Sequence, residues 1–166
     1  MKQAITLILS ALCLPIVLHA QSPAAAASTS TAAIDKELWS MISEAVVRAD
    51  IAAMARTYHT EAVIVGAART VPINTAIAQW GKDMDVAKVR GDKATVEFRF
   101  ASRQDGTTTA FETGIFKYTV TARNGEVTSD YIPFECLLTR STGKWRTLME
   151  RQLAAVTVDE WNRLKH

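Results

Sequence analysis

The sequence has two cysteines, and Cys13 falls in an N-terminal apolar run. Cys136 alone remains for the folded part, so no internal disulfide is expected even in an oxidising compartment. Its apolar strand context predicts a small buried hydrophobe. Histidine is equally scarce: His19 precedes the fold, His166 ends the chain, and only His59 is central. Without paired His/Cys spacing, no metal site is expected. No Gly-rich phosphate loop and no serine in a nucleophile-elbow context occur, which leaves no motif for a nucleotide cofactor or a hydrolytic triad. We therefore expect no cofactor. The charges, 19 Lys and Arg against 17 Asp and Glu, are interspersed. A nucleic-acid-binding protein needs a basic stripe, and none is present.

The longest apolar run, Ala4 to Leu18, follows the single charge of Lys2 and precedes Leu18-His19-Ala20. That arrangement predicts a secretory signal peptide over residues 1–20, cut after Ala20. A spanning helix needs about 20 apolar residues, and Pro15 interrupts this shorter run. Lipid attachment at Cys13 would want a smaller residue than Leu12 before it. The expectation is a periplasmic or secreted protein with no membrane contact after cleavage. Residues 21–33, QSPAAAASTSTAA, carry no charge and no periodicity, and read as a flexible leader. About 130 residues remain, enough for one core.

Asp35 is a candidate N-cap for a first helix with Leu38, Trp39, Ile42, Ala45, Val46 and Ala49 on one stripe. Asp50 caps a shorter helix expected to end near Tyr58 and His59. Residues 62–66 read as a buried strand. Asn74 caps a third helix to about Met84, and Val86 to Val89 read as a short strand. Thr95 to Phe100 alternates as a half-buried antiparallel strand. From Thr109 to Leu153, three β-rich runs are separated by turns at Arg123–Glu126 and Ser141–Lys144. Asn124-Gly125 is a strong hairpin signal. Pro133 implies a bulge or an edge position. Thr157 and Glu160 form a capping box for a C-terminal helical tail over residues 157–166. Helices first and an antiparallel meander last give an α+β fold, a curved sheet wrapped by N-terminal helices.

Several segments in this order resemble the nuclear transport factor 2-like superfamily, and more narrowly its SnoaL-like and domain-of-unknown-function 4440 groups. They are Tyr58-His59-Thr60-Glu61-Ala62-Val63-Ile64, a helix after Pro72, Val89-Arg90-Gly91-Asp92-Lys93, the Gly-centred Phe111-Glu112-Thr113-Gly114-Ile115-Phe116, and Gly143-Lys144-Trp145-Arg146. The resemblance covers residues 34–156. It implies a cystatin-like cone: a strongly bent antiparallel sheet whose helices close a pocket, often assembled as a homodimer through the sheet. The superfamily holds isomerases, dehydratases, cyclases and non-catalytic binding domains, so the fold does not choose the function.

Three functions follow as alternatives. The first is binding of a small hydrophobic or aromatic molecule, with Trp39, Tyr58, His59, Trp80, Phe98, Phe116 and Tyr131 as lining residues. The second is general acid–base isomerisation, cyclisation or dehydration by a desolvated carboxylate. Glu112 and Glu135 are the candidates, brought near one another if the hairpin closes at Asn124-Gly125. Tyr58 or Tyr131 would be the hydrogen-bond donor. The third is an interaction or dimerisation domain with a filled cone, plugged by Trp80, Phe98 and Met149.

Overall fold

The computed structural model describes residues 30–164. The signal-peptide reading and most of the leader reading fall outside the described residues. The first helix starts at residue 30, makes a π-helical turn over Asp35–Trp39 and continues over Ser40–Arg48; residues 30–48 together are α1. Asp35 is thus inside the helix and is not its N-cap. Residues 30–33 join the helix because Ser30 and Ile34, one turn apart, are both buried, and the Thr31 hydroxyl binds the Asp105 carboxylate.

The α1 helix stops at Ala49, whose φ of 48° makes it the one non-glycine residue in the left-handed region among the described residues. The Ala49 and Asp50 amides bond back to the Val46 and Ala45 carbonyls, a glycine-type C-terminal closure. Ala49→Gly should therefore raise unfolding stability by about 0.5–1 kcal/mol, because glycine carries no Cβ penalty there. Urea denaturation measures it, and an unchanged midpoint would show that the strain is absorbed elsewhere. The second helix, α2 (Ile51–Ala55), is capped by Asp50 as expected, with its carboxylate accepting from the Ala53 amide at 2.9 Å.

The helix ends earlier than the sequence predicts. Thr57 turns its hydroxyl onto the Met54 carbonyl at 2.7 Å, and Tyr58 opens strand β1 (Tyr58–Val65). A three-residue β2 (Thr70–Pro72) pairs with it. Helix α3 (Ile73–Arg90) follows, longer than predicted. The expected strand at 86–89 is instead its last turn. Val86 and Val89 are exposed, so no buried face rewards their β preference. Gly91, with φ 79°, ends the helix.

The remaining strands are β3 (Lys93–Asp105), β4 (Thr109–Thr121), β5 (Val127–Thr139) and β6 (Arg146–Gln152), then helix α4 (Val158–Arg163). One six-stranded sheet results, in the order β2-β1-β6-β5-β4-β3, antiparallel except for the parallel β1–β6 pair. Register shifts between Phe100 and Ser102, between Leu137 and Leu138, and between Tyr58 and Val63 bend it, as bulges do. The concave face takes α1 and α3, and the shared core includes Leu38, Trp39, Ile42, Met54, Phe134 and Leu138. The thirteen β4–β5 pairs run without interruption through Ile115–Pro133, so Pro133 makes no bulge. Its carbonyl accepts from Leu153, just past the end of β6. A residue's N and C=O point to the same neighbour in an antiparallel ladder. The missing N–H therefore faces the place where β6 has ended.

The capping box on α4 forms as predicted, Thr157 accepting from the Glu160 amide and Glu160 from the Thr157 amide. This helix lies on the convex face. The Arg99 guanidinium stacks 4.3 Å from the Trp161 ring and donates to the Trp161 carbonyl at 3.0 Å.

Candidate functional site

The concave face and the helices enclose a cavity of about 760 Å³. One wall is aromatic: Phe98 from β3 and Phe134 from β5 pack on Trp39 of α1, with centroids 4.7 and 5.4 Å away, and Phe116 from β4 packs on both phenylalanines. The three phenylalanines share a face because each strand contributes alternate residues to it. The opposite side is built by Tyr58 at the start of β1 and Trp80 of α3, whose rings are 5.9 Å apart.

Between them lies a small polar floor. The Tyr58 hydroxyl donates to Glu150 Oε2 at 2.6 Å, and Gln152 Nε2 donates to Glu150 Oε1 at 2.6 Å. Burial, reinforced by the neighbouring Glu150, raises the Tyr58 phenol well above its ordinary range. Tyr58 therefore stays protonated and serves as a donor. Cys136 also lines the cavity, and its thiol is pushed up by burial and by Glu150 and Glu112. A reactive thiolate is the opposite case. Charged groups otherwise gather at the mouth, where Arg48, Lys88, Arg90 and Lys93 outnumber Asp83 and Asp92.

Glu112 occupies a second, closed polar cluster. It is fully buried. Trp39 Nε1 donates to its Oε2 at 2.6 Å and Arg103 Nε to its Oε1 at 2.9 Å. Arg103 also binds Asp35 at 2.6 Å. Burial pushes the Glu112 carboxyl up to about 7 against the pull of Arg103, and the neighbouring Asp105 pushes the same way. Glu112 shares the Arg103 guanidinium with Asp35, so the cation is only partly available to it, which supports the direction. Glu112 is not among the cavity-lining residues; Trp39 stands between.

No family model matches the sequence, and no curated protein matches it. Solved structures do. A nuclear transport factor 2-like superfamily protein from Salmonella enterica matches with a TM-score of 0.61 at 13% identity, over 78% of this chain and 94% of that one. A protein of unknown function from Mycobacterium tuberculosis matches with a TM-score of 0.66 at 12% identity, over 86% and 82%. A ketosteroid isomerase-like protein from Erwinia carotovora matches with 0.51 at 18%, over 82% and 98%. The chain has the nuclear transport factor 2-like fold.

Within this nuclear transport factor 2-like cone, Trp39, Tyr58, Trp80, Phe98 and Phe116 all line the cavity. Besides Glu112, three other candidates do not. His59 alternates away from Tyr58 along β1, and its Nδ1 accepts from the Glu61 amide at 3.2 Å. The reading of His59 as helix-terminal fails with the helix itself. Tyr131 is on the convex face against Trp161, with centroids 5.9 Å apart. Glu135 is also convex, opposite Arg151 and ion-paired to it at 3.2 Å.

The separation of Glu112 from Glu135 has one cause. A two-residue Asn124-Gly125 loop would need positive φ at both positions, yet Asn124 is not in that region. The loop has three residues. Ala122 and Glu126 pair across it, and Gly125, φ 89°, takes the left-handed position. The extra residue shifts the pairing by one, so Glu112 faces Cys136 and Thr113 faces Glu135. A shift of one sends a side chain to the other face. The second carboxylate of the concave face is Glu150, paired with Cys136 from the other side. In the sequence, Leu148, Glu150 and Gln152 alternate, which is a usable signal. It does not say which face is inner, because the bulge at Leu148 resets the strand.

Among the described residues, no three His, Cys, Asp or Glu side chains are grouped to hold a metal ion, and no helix is long and apolar enough to cross a membrane.

Proposed function

We propose that this chain is an exported small-molecule-binding protein whose cone takes one flat, largely apolar molecule. The observation that carries this is the cavity of about 760 Å³ walled by Trp39, Phe98, Phe116, Phe134, Tyr58 and Trp80. It is of the size that encloses a small organic ligand, apolar with a few convergent polar groups. A filled cone is disfavoured, since Trp80 and Phe98 line the space instead of closing it. Export rests on Lys2, the apolar run and Ala20. Pairing of two copies through the convex face is supported by the half-buried row Phe111, Leu137 and Met149, which are cross-strand neighbours.

Native mass spectrometry of the protein taken from its own periplasm tests all three. A species starting at Gln21, carrying one small molecule per chain and present as a dimer, is expected. An empty monomer that retains residues 1–20 would overturn the reading. Met84 lines the cavity beside Trp80, so Met84→Trp should fill it. The variant should keep the wild-type circular dichroism spectrum while losing at least tenfold in affinity for an apolar fluorescent dye.

A second reading, general acid–base chemistry, is favoured by a single observation: Glu150 is a carboxylate held by a tyrosine against an apolar cavity. One of the structural neighbours is described as ketosteroid isomerase-like. Glu150, not Glu112 or Glu135, is then the base. Exchange of α-protons of a bound ketone with deuterated water, lost in Glu150→Gln, would support it; no exchange with any bound ketone would remove it.

A further inference from the structure

We infer that the ligand of this cone presents a neutral hydroxyl, of the phenol or alcohol class, to Glu150. The inference rests on the small-molecule reading above and names the ligand's polar end. It comes from counting hydrogen-bond capacity at the floor. A carboxylate offers about four acceptor sites, a phenol one donor and acceptor lone pairs, and a primary amide two donors and one acceptor oxygen. Tyr58 spends its only donor on Glu150 Oε2, and Gln152 spends one of its two on Oε1. What is left is the second lone pairs of both Glu150 oxygens, the Tyr58 oxygen and the Gln152 amide oxygen, against a single N–H. The floor is thus acceptor-rich, and the group that satisfies it is a donor. A carbonyl or ether placed there would meet acceptors and leave them unpaired, which is the costly case in an apolar site.

The mouth narrows the class. Arg48, Lys88, Arg90 and Lys93 line the entrance against Asp83, Asp92 and also Glu44, which is ion-paired to Arg48 at 3.2 Å. Arg90 is already paired with Asp92 at 2.8 Å. The positive rim repels a bound cationic amine as well as an entering one, and this repulsion works against the amine's attraction to Glu150. A neutral hydroxyl passes without that barrier. The walls supply the rest of the recognition, since Phe98, Phe116, Phe134 and Trp39 present a continuous aromatic surface to a flat ring.

Equilibrium dialysis of the full mature chain against three naphthalene probes, read by their own fluorescence, tests this. 2-Naphthol should bind at least tenfold more tightly than 2-methoxynaphthalene, which keeps the ring and loses the donor, because a hydrogen bond to a charged acceptor is worth at least that factor. It should also bind more tightly than 2-naphthylmethylamine, the cationic donor. In Glu150→Gln the preference for the naphthol over its methyl ether should fall below about threefold. Gln152→Leu, which deletes the neighbouring acceptor, should reduce it less, and it serves if the first variant does not fold.

The other outcomes separate cleanly. Equal binding of naphthol and methyl ether would overturn the hydroxyl inference and leave small-molecule binding intact. Tighter binding of the amine would replace the hydroxyl class by a cationic one. An undiminished naphthol preference in both variants would remove Glu150 as the acceptor. No measurable binding of any probe would count against the binding reading itself.

Discussion

Glu112→Leu should cost about 3–5 kcal/mol of stability, the range for removing one partner of a buried ion pair. Two donors lose their acceptor at once: the Trp39 indole N–H and the Arg103 guanidinium, which keeps only half-exposed Asp35. A more specific signature is pH dependence. The folded carboxyl sits at about 7 against an ordinary value of 4.5, so between those values the native state binds a proton that the unfolded chain has released. Stability from this group is fully present below pH ~4.5 and is lost as pH rises through about 7. The full swing is roughly 3 kcal/mol. Wild-type protein should therefore be more stable by about 2 kcal/mol at pH 5.5 than at pH 8. Glu112→Gln, which cannot titrate, should show a flat profile over the same window. Urea midpoints at the two pH values decide it. Wild type and Glu112→Gln with parallel profiles would mean that Glu112 is ionised throughout, neutralised by Arg103 alone.

Gly114→Ala should be more damaging than any other single-methyl addition in the sheet. A Cβ at Gly114 would lie 2.2 Å from the Arg99 carbonyl oxygen and 3.1 Å from both the Arg99 carbonyl carbon and the Phe100 Cα. All three are backbone atoms of β3, so no rotamer change relieves the clash. The position is where β3 slips register between Phe100 and Ser102, and the close approach is part of the bend. Relief requires the strands to part or the bulge to move, and either would displace Phe98 and Phe100 from the cavity wall and core. A loss above about 3 kcal/mol is expected, at the severe end for overpacking, together with weaker dye binding. Alanine at Gly125 is a useful contrast: nothing lies within 4 Å of its Cβ and only its φ of 89° is strained, so about 1 kcal/mol is expected there. Similar losses at the two sites would show that β3 and β4 are not held this tightly.

Much of this architecture was legible because its signals are local. The alternation of Val96, Phe98 and Phe100, the Thr157–Glu160 capping box and the Asp50 cap each lie within a few residues, and each occurs as predicted. The aromatic wall was legible in part for the same reason, through Trp39, Phe98 and Phe116 but not Phe134, and Glu112 is a buried acid that lies off the cavity. What failed depended on a single residue of register or on distant partners. The chemical difference between a two- and a three-residue loop at Asn124-Gly125 is slight, yet it decides that Glu135 is on the wrong face. Glu150 is hidden behind a bulge, and its donor Tyr58 is 92 positions away in the sequence. Tyr58 itself was misplaced because α2 and β1 meet with only two residues between them, and neither helix nor strand propensity marks such a junction.

The parallel pairing of β1 with β6 sets when the cone can close. Tyr58 meets Thr147, and Val63 meets Met149, so the first strand has no inner neighbour until nearly the whole chain exists. The β3–β4 and β4–β5 hairpins close short loops and should form early, while this seam joins segments far apart in sequence and should form late. During synthesis the Tyr58 edge must wait for the last strand, and a chain shortened before Arg146 should remain incomplete however well its hairpins form. Under the export proposed above, such a late seam would keep the chain threadable until its final strand arrives.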